Sequence, residues 1–340
     1  MHPITSPFVL GAMLSTPVLT AQQPTISHAQ LSTVRAEHGL GAQIDQLKQS
    51  AASVWIGCAI AVGPGFHSGA NRSIRFLEGG DLDGDYGGYH DASFDHVNLL
   101  MRVADGQIER LRLENPARQL DAGGLRFVWM DTVAANESVS VLKSLALSQT
   151  TEKIRNDAVF FISLHSVPEA NAALVQLADA GVDLTVREKA AFWLANQRGH
   201  EGFLAIQHMA RTDADPAFRE KLTFDLTLCH EPDAVEELIH MAKTDVSPRV
   251  RRQAQFWMAN IGGKRVGADL LNAAVNDPNA EVRKSAVFAI SRLPGDEATS
   301  QLIHVLSSNK DPAVRKQAVF WLGQSQDPRA LDYLTKLIQP

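Results

Sequence analysis

The chain has 340 residues, 45% of them apolar and 21% charged, with 32 basic against 38 acidic side chains. That balance belongs to a folded protein long enough for two domains, and it excludes disorder as the main state. A net charge of −6 and a pI near 6.1 give none of the basic excess that phosphate-backbone binding draws on, which argues against nucleic acid as a partner.

Residues 4–21, ITSPFVLGAMLSTPVLTA, carry no charged side chain and end in small residues ahead of AQQPT. This is the layout of a secretory h-region, so residues 1–22 are read as a signal peptide and the mature chain is expected in the periplasm or outside the cell. No Lys or Arg precedes the run, and Pro7 and Pro17 interrupt it, so an apolar leader on a cytoplasmic protein stays open. The run is too short and too broken for a membrane span, and no other window approaches one. Two cysteines, Cys58 and Cys229, cannot form a disulfide framework, and buried apolar thiols are the simpler reading.

Residues 23–132 read as a small α+β domain with an antiparallel sheet. AQLSTVRAE is a strand candidate, and LGAQIDQLKQSA is a helix with Leu40, Ile44 and Leu47 on one face. SVWIGCAIAV (53–62), bounded by GPG, has the composition of a buried strand. HVNLLMRVA and QIERLRLEN flank Asp105-Gly106, a dipeptide suited to the positive φ angles of a tight hairpin turn, and LRFVWM (125–130) supplies another strand. Between them, DLDGDYGGYHD sets Asp81, Asp83 and Asp85 at alternating positions, as calcium ligands would be. Tyr86 and Ala92 stand where an EF-hand loop needs glycine and glutamate, so a solvated loop competes with that reading.

From Arg155 a 32-residue period takes over. Arg155, Arg187, Arg219, Arg251, Arg283 and Arg315 each open the phrase Arg-x-x-Ala-x-Phe-x-apolar, with Leu222 replacing the alanine once. A fixed period of this length marks a solenoid, whose units bury their apolar faces only against neighbours. Asp183, Asp215, Ser247, Asn279 and Asp311 stand four residues before the arginine, with Pro216, Pro248 and Pro312 following, as helix-start chemistry requires. Val314, Ala318 and Leu322 form the buried stripe of a first helix; Ala330, Leu334, Leu337 and Ile338 form that of a second. Leu142 and Leu145 fall one period before Leu174 and Leu177, so residues 133–154 read as a capping half-repeat ahead of six repeats over 155–340.

These units resemble HEAT-like repeats of the phycobilisome-lyase type, and the chain as a whole, with WIGCAIAV, LDAGGL, REKAAFWLANQ and RKQAVFWLGQ, resembles exported bacterial HEAT-repeat proteins. The resemblance implies an α-solenoid (a HEAT-like αα superhelix) behind the α+β domain and a role in interaction rather than catalysis.

Three features can carry function. The phenylalanines two residues after the alanine position of each phrase, Phe160, Phe192, Phe224, Phe256, Phe288 and Phe320, face away from the buried alanine, and Trp193, Trp257 and Trp321 follow in alternate repeats. Such rings either cover small neighbours such as Ala195, Ala259, Ser291 and Gly323 or anchor a partner. The second helices present Gln176, His208, His240, Asn272, His304 and Lys336 opposite their buried leucines, a face able to meet an acidic partner at low pH. The arginine ladder reads as structural, pairing with helix-start acids between units, each pair worth little if exposed. The leading expectation is therefore a non-enzymatic scaffold for a protein or extended peptide, without a cofactor. Its rivals are a chromophore-attachment factor, for which Cys229, His230 and His240 are the only reactive candidates, and a calcium-dependent module.

Overall fold

A computed structural model of the chain describes residues 18–19, 23–50, 52–63, 67–69, 74–79 and 91–339. It divides into two compact units, Met1–Ala170 and Asn171–Pro340.

Among the described residues the first unit holds twelve strands and three helices: β1 (Val18–Leu19), β2 (Ile26–Ser27), β3 (Gln30–Val34), α1 (Leu40–Lys48), β4 (Val54–Ala61), β5 (His67–Gly69), β6 (Arg75–Phe76), β7 (Asp91–Ser93), β8 (His96–Ala104), β9 (Gln107–Glu114), β10 (Leu120–Asp121), β11 (Arg126–Met130), β12 (Val133–Ala134), α2 (Ala135–Leu147) and α3 (Glu152–Leu164). The main sheet runs β3-β11-β4-β8-β9. It is mixed, not antiparallel as expected: β11 is parallel to both β3 and β4, and only β4, β8 and β9 alternate in direction. The cause is the connection. A strand, a helix and a strand return the chain in the same direction, and β11 then inserts between β3 and β4. Asp105 and Gly106 form the β8–β9 turn with φ of 49° and 71°, as that dipeptide predicts.

Side chains alternate across the sheet. Trp55, Ala59, Leu100, Phe127 and Trp129 form one buried cluster with Leu77, Leu120 and Ala122 from the flanking segments. Gly57 lies between two of these rings, and a Cβ there would stand 2.9 Å from both Phe127 and Trp129, so only glycine fits the close approach. The alternate residues Ile56, Cys58, Leu99, Met101 and Val128 are equally buried, with α1 packing on β8 and α2 on β4. Leu40, Ile44 and Leu47 are the buried residues of α1, as its spacing predicts. The segment β1, inside the apolar leader, pairs with β12. A buried Ser138–His165 pair, Oγ to Nε2 at 2.6 Å, ties α2 to the end of α3, with His165 Nδ1 bonded to the Phe161 carbonyl at 2.8 Å.

After α4 (Pro168–Leu177), which crosses the division, the second unit is helical: α5 (Leu184–Gln197), α6 (Gly199–Thr212), α7 (Pro216–Leu228), α8 (Ala234–Thr244), α9 (Pro248–Gly262), a 3-10 turn at Gly263–Val266, α10 (Gly267–Asn276), α11 (Ala280–Ser291), α12 (Gly295–Ser308), α13 (Pro312–Gly323) and α14 (Pro328–Ile338). The first helices α5, α7, α9, α11 and α13 stack in one layer; α6 on α8, α10 on α12 and α12 on α14 make the second. Val186, Val250, Val282 and Val314 with Ala190, Ala254, Ala286 and Ala318 are fully buried between the layers. Asp183, Asp215, Asn279 and Asp311 cap their helices by accepting backbone N–H groups of the first turn. Ser247 does not cap; Asp245 accepts the Ser247 N–H at 2.7 Å, as Asp213, Asp277 and Asn309 do for Asp215, Asn279 and Asp311.

Two further expectations are corrected. The buried stripe assigned to α14 holds only at Ala330: Leu334 is half-buried, Leu337 is exposed and Ile338 is 82% exposed. Their upstream equivalents Leu302, Val305 and Leu306 are covered by the following helix pair, and the described chain offers α14 none. The arginine ladder pairs between repeats, but Arg187, Arg219 and Arg251 are buried while Arg155, Arg283 and Arg315 are half-buried, and its main partners are not the caps. Arg219 binds Asp245 at 2.8 and 2.9 Å, Arg251 binds Asp277 at the same two distances, and Arg187 binds Asp213. Only Arg283 reaches a cap, Asp311, at 2.7 Å. Each guanidinium also reaches main-chain carbonyls of the preceding loop, as Arg251 does to Asp245 O at 2.8 Å, which is why the inter-helix crevice rather than the surface holds it.

Candidate protein-interaction surface

The aromatic repeat positions come together as one row along the first helices. Phe224 of α7 meets Trp257 of α9 at 5.1 Å between centroids, Phe256 stacks on Phe288 of α11 at 6.3 Å and 9° between planes, and Phe288 meets Trp321 of α13 at 5.4 Å. Within each helix the tryptophan packs edge-on against its own phenylalanine: Phe192–Trp193 at 4.9 Å, Phe256–Trp257 at 4.8 Å and Phe320–Trp321 at 5.0 Å. What the next repeat presents to these rings is an aromatic side chain, not the small residues expected there. Edge-to-face and offset contacts of this kind add roughly 0.5–1.5 kcal/mol each beyond burial. The row is half-buried from Trp257 to Trp321 and exposed at both ends, at Phe224 and, most openly, at Phe320, which is 56% exposed. The indole N–H groups of Trp257 and Trp321 are buried without a hydrogen-bond partner.

Between the tryptophans of this register stand two residues that are not aromatic, Asp225 on α7 and Ala289 on α11. Asp225 occupies the register of Trp193, Trp257 and Trp321, yet it is buried on α7. Burial raises its pKa to about 8, the negative charge of Glu188 on α5 adds to the shift, and Lys221 opposes it. A neutral carboxyl therefore stands in the aromatic register at neutral pH. In the sequence Asp225 is one of the residues, with Phe161 and Ala289, that alternate with the tryptophans, and nothing local signalled its burial.

On the second helices, His208, His240 and His304 are exposed, as are Gln176, Asn272 and Lys336. His240 Nε2 lies 3.3 Å from the Thr244 hydroxyl. It lines a groove of about 340 Å³ with Arg211, Arg219, Thr244 and Val246. The cations there are engaged: Arg211 donates to the buried Glu237 and Arg219 to Asp245. Among the described residues no three His, Cys, Asp or Glu side chains gather as a metal set. The Asp81, Asp83 and Asp85 positions lie outside the described residues.

Of the candidate reactive groups, Cys229 is buried, its thiol pushed up to about 12 by burial and by Asp225 and Glu231, and donates to the Asp225 carbonyl at 3.6 Å. His230 is exposed and contacts only the Leu228 carbonyl at 2.9 Å. A neutral, inaccessible thiol is a poor nucleophile.

Residues 267–339 match the model of HEAT repeats. No curated protein matches the chain. Among solved structures, it is similar to the YibA protein of Escherichia coli at 23% identity, over 59% of this chain and 76% of that one, with a TM-score of 0.38. It is also similar to the karyopherin Kap121p bound to the extreme C-terminus of the protein phosphatase Cdc14p, at 13% identity over 60% of this chain and 27% of that one, with a TM-score of 0.42. The complex of CpcE and CpcF of phycocyanin lyase from Nostoc sp. aligns at 17% identity over 54% of this chain and 97% of that one, with a TM-score of 0.26.

Proposed function

We propose that this chain is a non-catalytic scaffold whose helical repeats hold another protein or an extended peptide, and that residues 1–22 direct it to the cell envelope. One observation carries the binding reading: the aromatic row runs unbroken from Phe224 to Phe320 over four stacked helices while staying half-open to solvent. Packing the repeats requires the buried valines and alanines. It does not require a solvent-lapped strip of rings, and aromatic side chains are the residues most enriched at binding hot spots. The net charge of −6 favours a protein partner over nucleic acid, and the neutral, buried Cys229 favours binding over covalent transfer.

The test is retention of partners from an envelope extract on immobilised chain, compared with a Phe224→Ala/Phe320→Ala variant and a His208→Ala/His240→Ala variant of unchanged melting temperature. A partner lost only from the aromatic variant supports the reading. A partner lost only from the histidine variant moves the contact to the second helices. Transfer of a bilin to an acceptor protein by the purified chain would replace scaffold with enzyme.

A further inference from the structure

The residue one turn before each phenylalanine of the row shares its face of the helix. Read along the stack, these positions are Glu188, Glu220, Arg252, Lys284 and Lys316, so the row changes from acidic to basic at α9. On α9, α11 and α13 the one acid is Glu281. It is shared between Lys284, at 2.9 Å, and the field of Arg252, which together hold its carboxyl below the usual range. Arg251 and Arg283 are consumed by the inter-repeat ladder, and Arg249 is bonded to Glu220. Arg252 and Lys316 are left exposed. On the other flank of the rings, Gln253 and Gln317 are half-buried, and neither side chain hydrogen-bonds to another described residue. In a molecule of net charge −6, this strip is locally cationic, apolar along its centre and edged with unused amide groups.

We propose that the strip formed by α9, α11 and α13 binds an acidic, extended peptide, with its apolar side chains on Phe256, Phe288 and Phe320 and its carboxylates at Arg252, Lys284 and Lys316. The assignment rests on the scaffold reading above and narrows it to a chemical class and to three repeats. Stacked helices repeat every 8–10 Å or so, and a polyproline-type strand brings the same face round about every 9.3 Å. Successive repeats therefore meet every third residue of such a peptide, and the amides of Gln253 and Gln317 are placed for its main chain. Toward α5 and α7 the same positions carry Glu188 and Glu220, which repel an acidic ligand and set the N-terminal limit of the footprint.

The experiment is selection of a random dodecapeptide library on the full chain, followed by fluorescence anisotropy of an enriched peptide. The expected result is enrichment of net-acidic peptides with interspersed apolar residues, bound more weakly as salt rises. Affinity should fall about tenfold or more in Arg252→Glu/Lys284→Glu/Lys316→Glu, at an unchanged melting temperature, from the loss and reversal of three charge pairs. If that variant misfolds, the same three positions changed to Gln give the reading, with a smaller loss. Peptides with no acidic excess that are lost from Phe288→Ala/Phe320→Ala but kept by the charge variants overturn this inference and leave the scaffold reading standing. Peptides indifferent to both sets, or no enrichment at all, overturn both. Displacement of an enriched peptide by single-stranded oligonucleotide, dependent on the same three cations, would also overturn the peptide assignment.

Discussion

Asp225→Asn is the substitution whose effect the structure defines most closely. The folded-state pKa of Asp225 is raised from 3.8 to about 8, chiefly by burial and then by Glu188. Below about pH 4 the carboxyl is protonated whether the chain is folded or not, and the site costs nothing. Between about 4 and 8 the unfolded chain releases the proton and the folded chain keeps it, so stability falls by about 1.4 kcal/mol for each pH unit. Above about 8 the folded form ionises too and the loss stops growing. A shift of this size caps the cost at about 6 kcal/mol, and side-chain relaxation and water entry bring the working figure to several kcal/mol. Asparagine keeps the shape and removes the titration. The variant should therefore match the parent near pH 4 and outlast it increasingly up to pH 8, with a constant advantage beyond. Urea unfolding followed by circular dichroism at unit pH steps from 4 to 9 reads the difference, and amide exchange in α7 reports it locally if the repeats open in stages. A gap that does not vary with pH, or a variant weaker than the parent at pH 8, would refute the reasoning. Glu188→Gln should move the parent's window to lower pH and Lys221→Gln to higher, since their charges act on Asp225 in opposite senses.

Arg251→Met should cost about 3–5 kcal/mol in urea titrations because it strands the buried Asp277 carboxylate, and Asp277→Asn in the same chain should recover part of that loss. Lys264→Met removes an exposed pair with Asp296 and should leave the urea midpoint unchanged. Gly57→Ala should destabilise the first unit by about 1–3 kcal/mol, read from its thermal transition, because the added methyl meets Phe127 and Trp129. Both thiols are buried and pushed up to about 12, so Ellman's reagent should label Cys58 and Cys229 only at the rate of unfolding; immediate labelling of either in native buffer would contradict the packing.

Local chemistry was legible wherever a residue's role depends on its own neighbours in the chain. Asp105-Gly106 needs only its own φ angles, and Asp215 or Asn279 needs only the amides of the next turn, so the hairpin and most helix starts followed from composition and spacing. Ser247 does not cap, although Asp245 accepts its N–H just as Asp213, Asp277 and Asn309 accept those of Asp215, Asn279 and Asp311, which do cap. The aromatic positions were evident from the period. Their contact with one another was not, since a ring's neighbour belongs to the next repeat and its direction depends on how the helices stack.

By itself the sequence determined that residues from about 155 onward form repeated helix pairs, which helix face is buried, and where strands and a hairpin lie upstream, because these follow from periods of 3.6, 32 and 2 residues acting over short distances. Tertiary structure alone decided the parallel entry of β11 between β3 and β4, the burial of Arg187, Arg219, Arg251 and Asp225, the continuity of the aromatic row and the bareness of Ile338. Each of these is set by what a distant segment places against the residue, and desolvation, unlike helix propensity, is a property of the neighbour as much as of the residue itself.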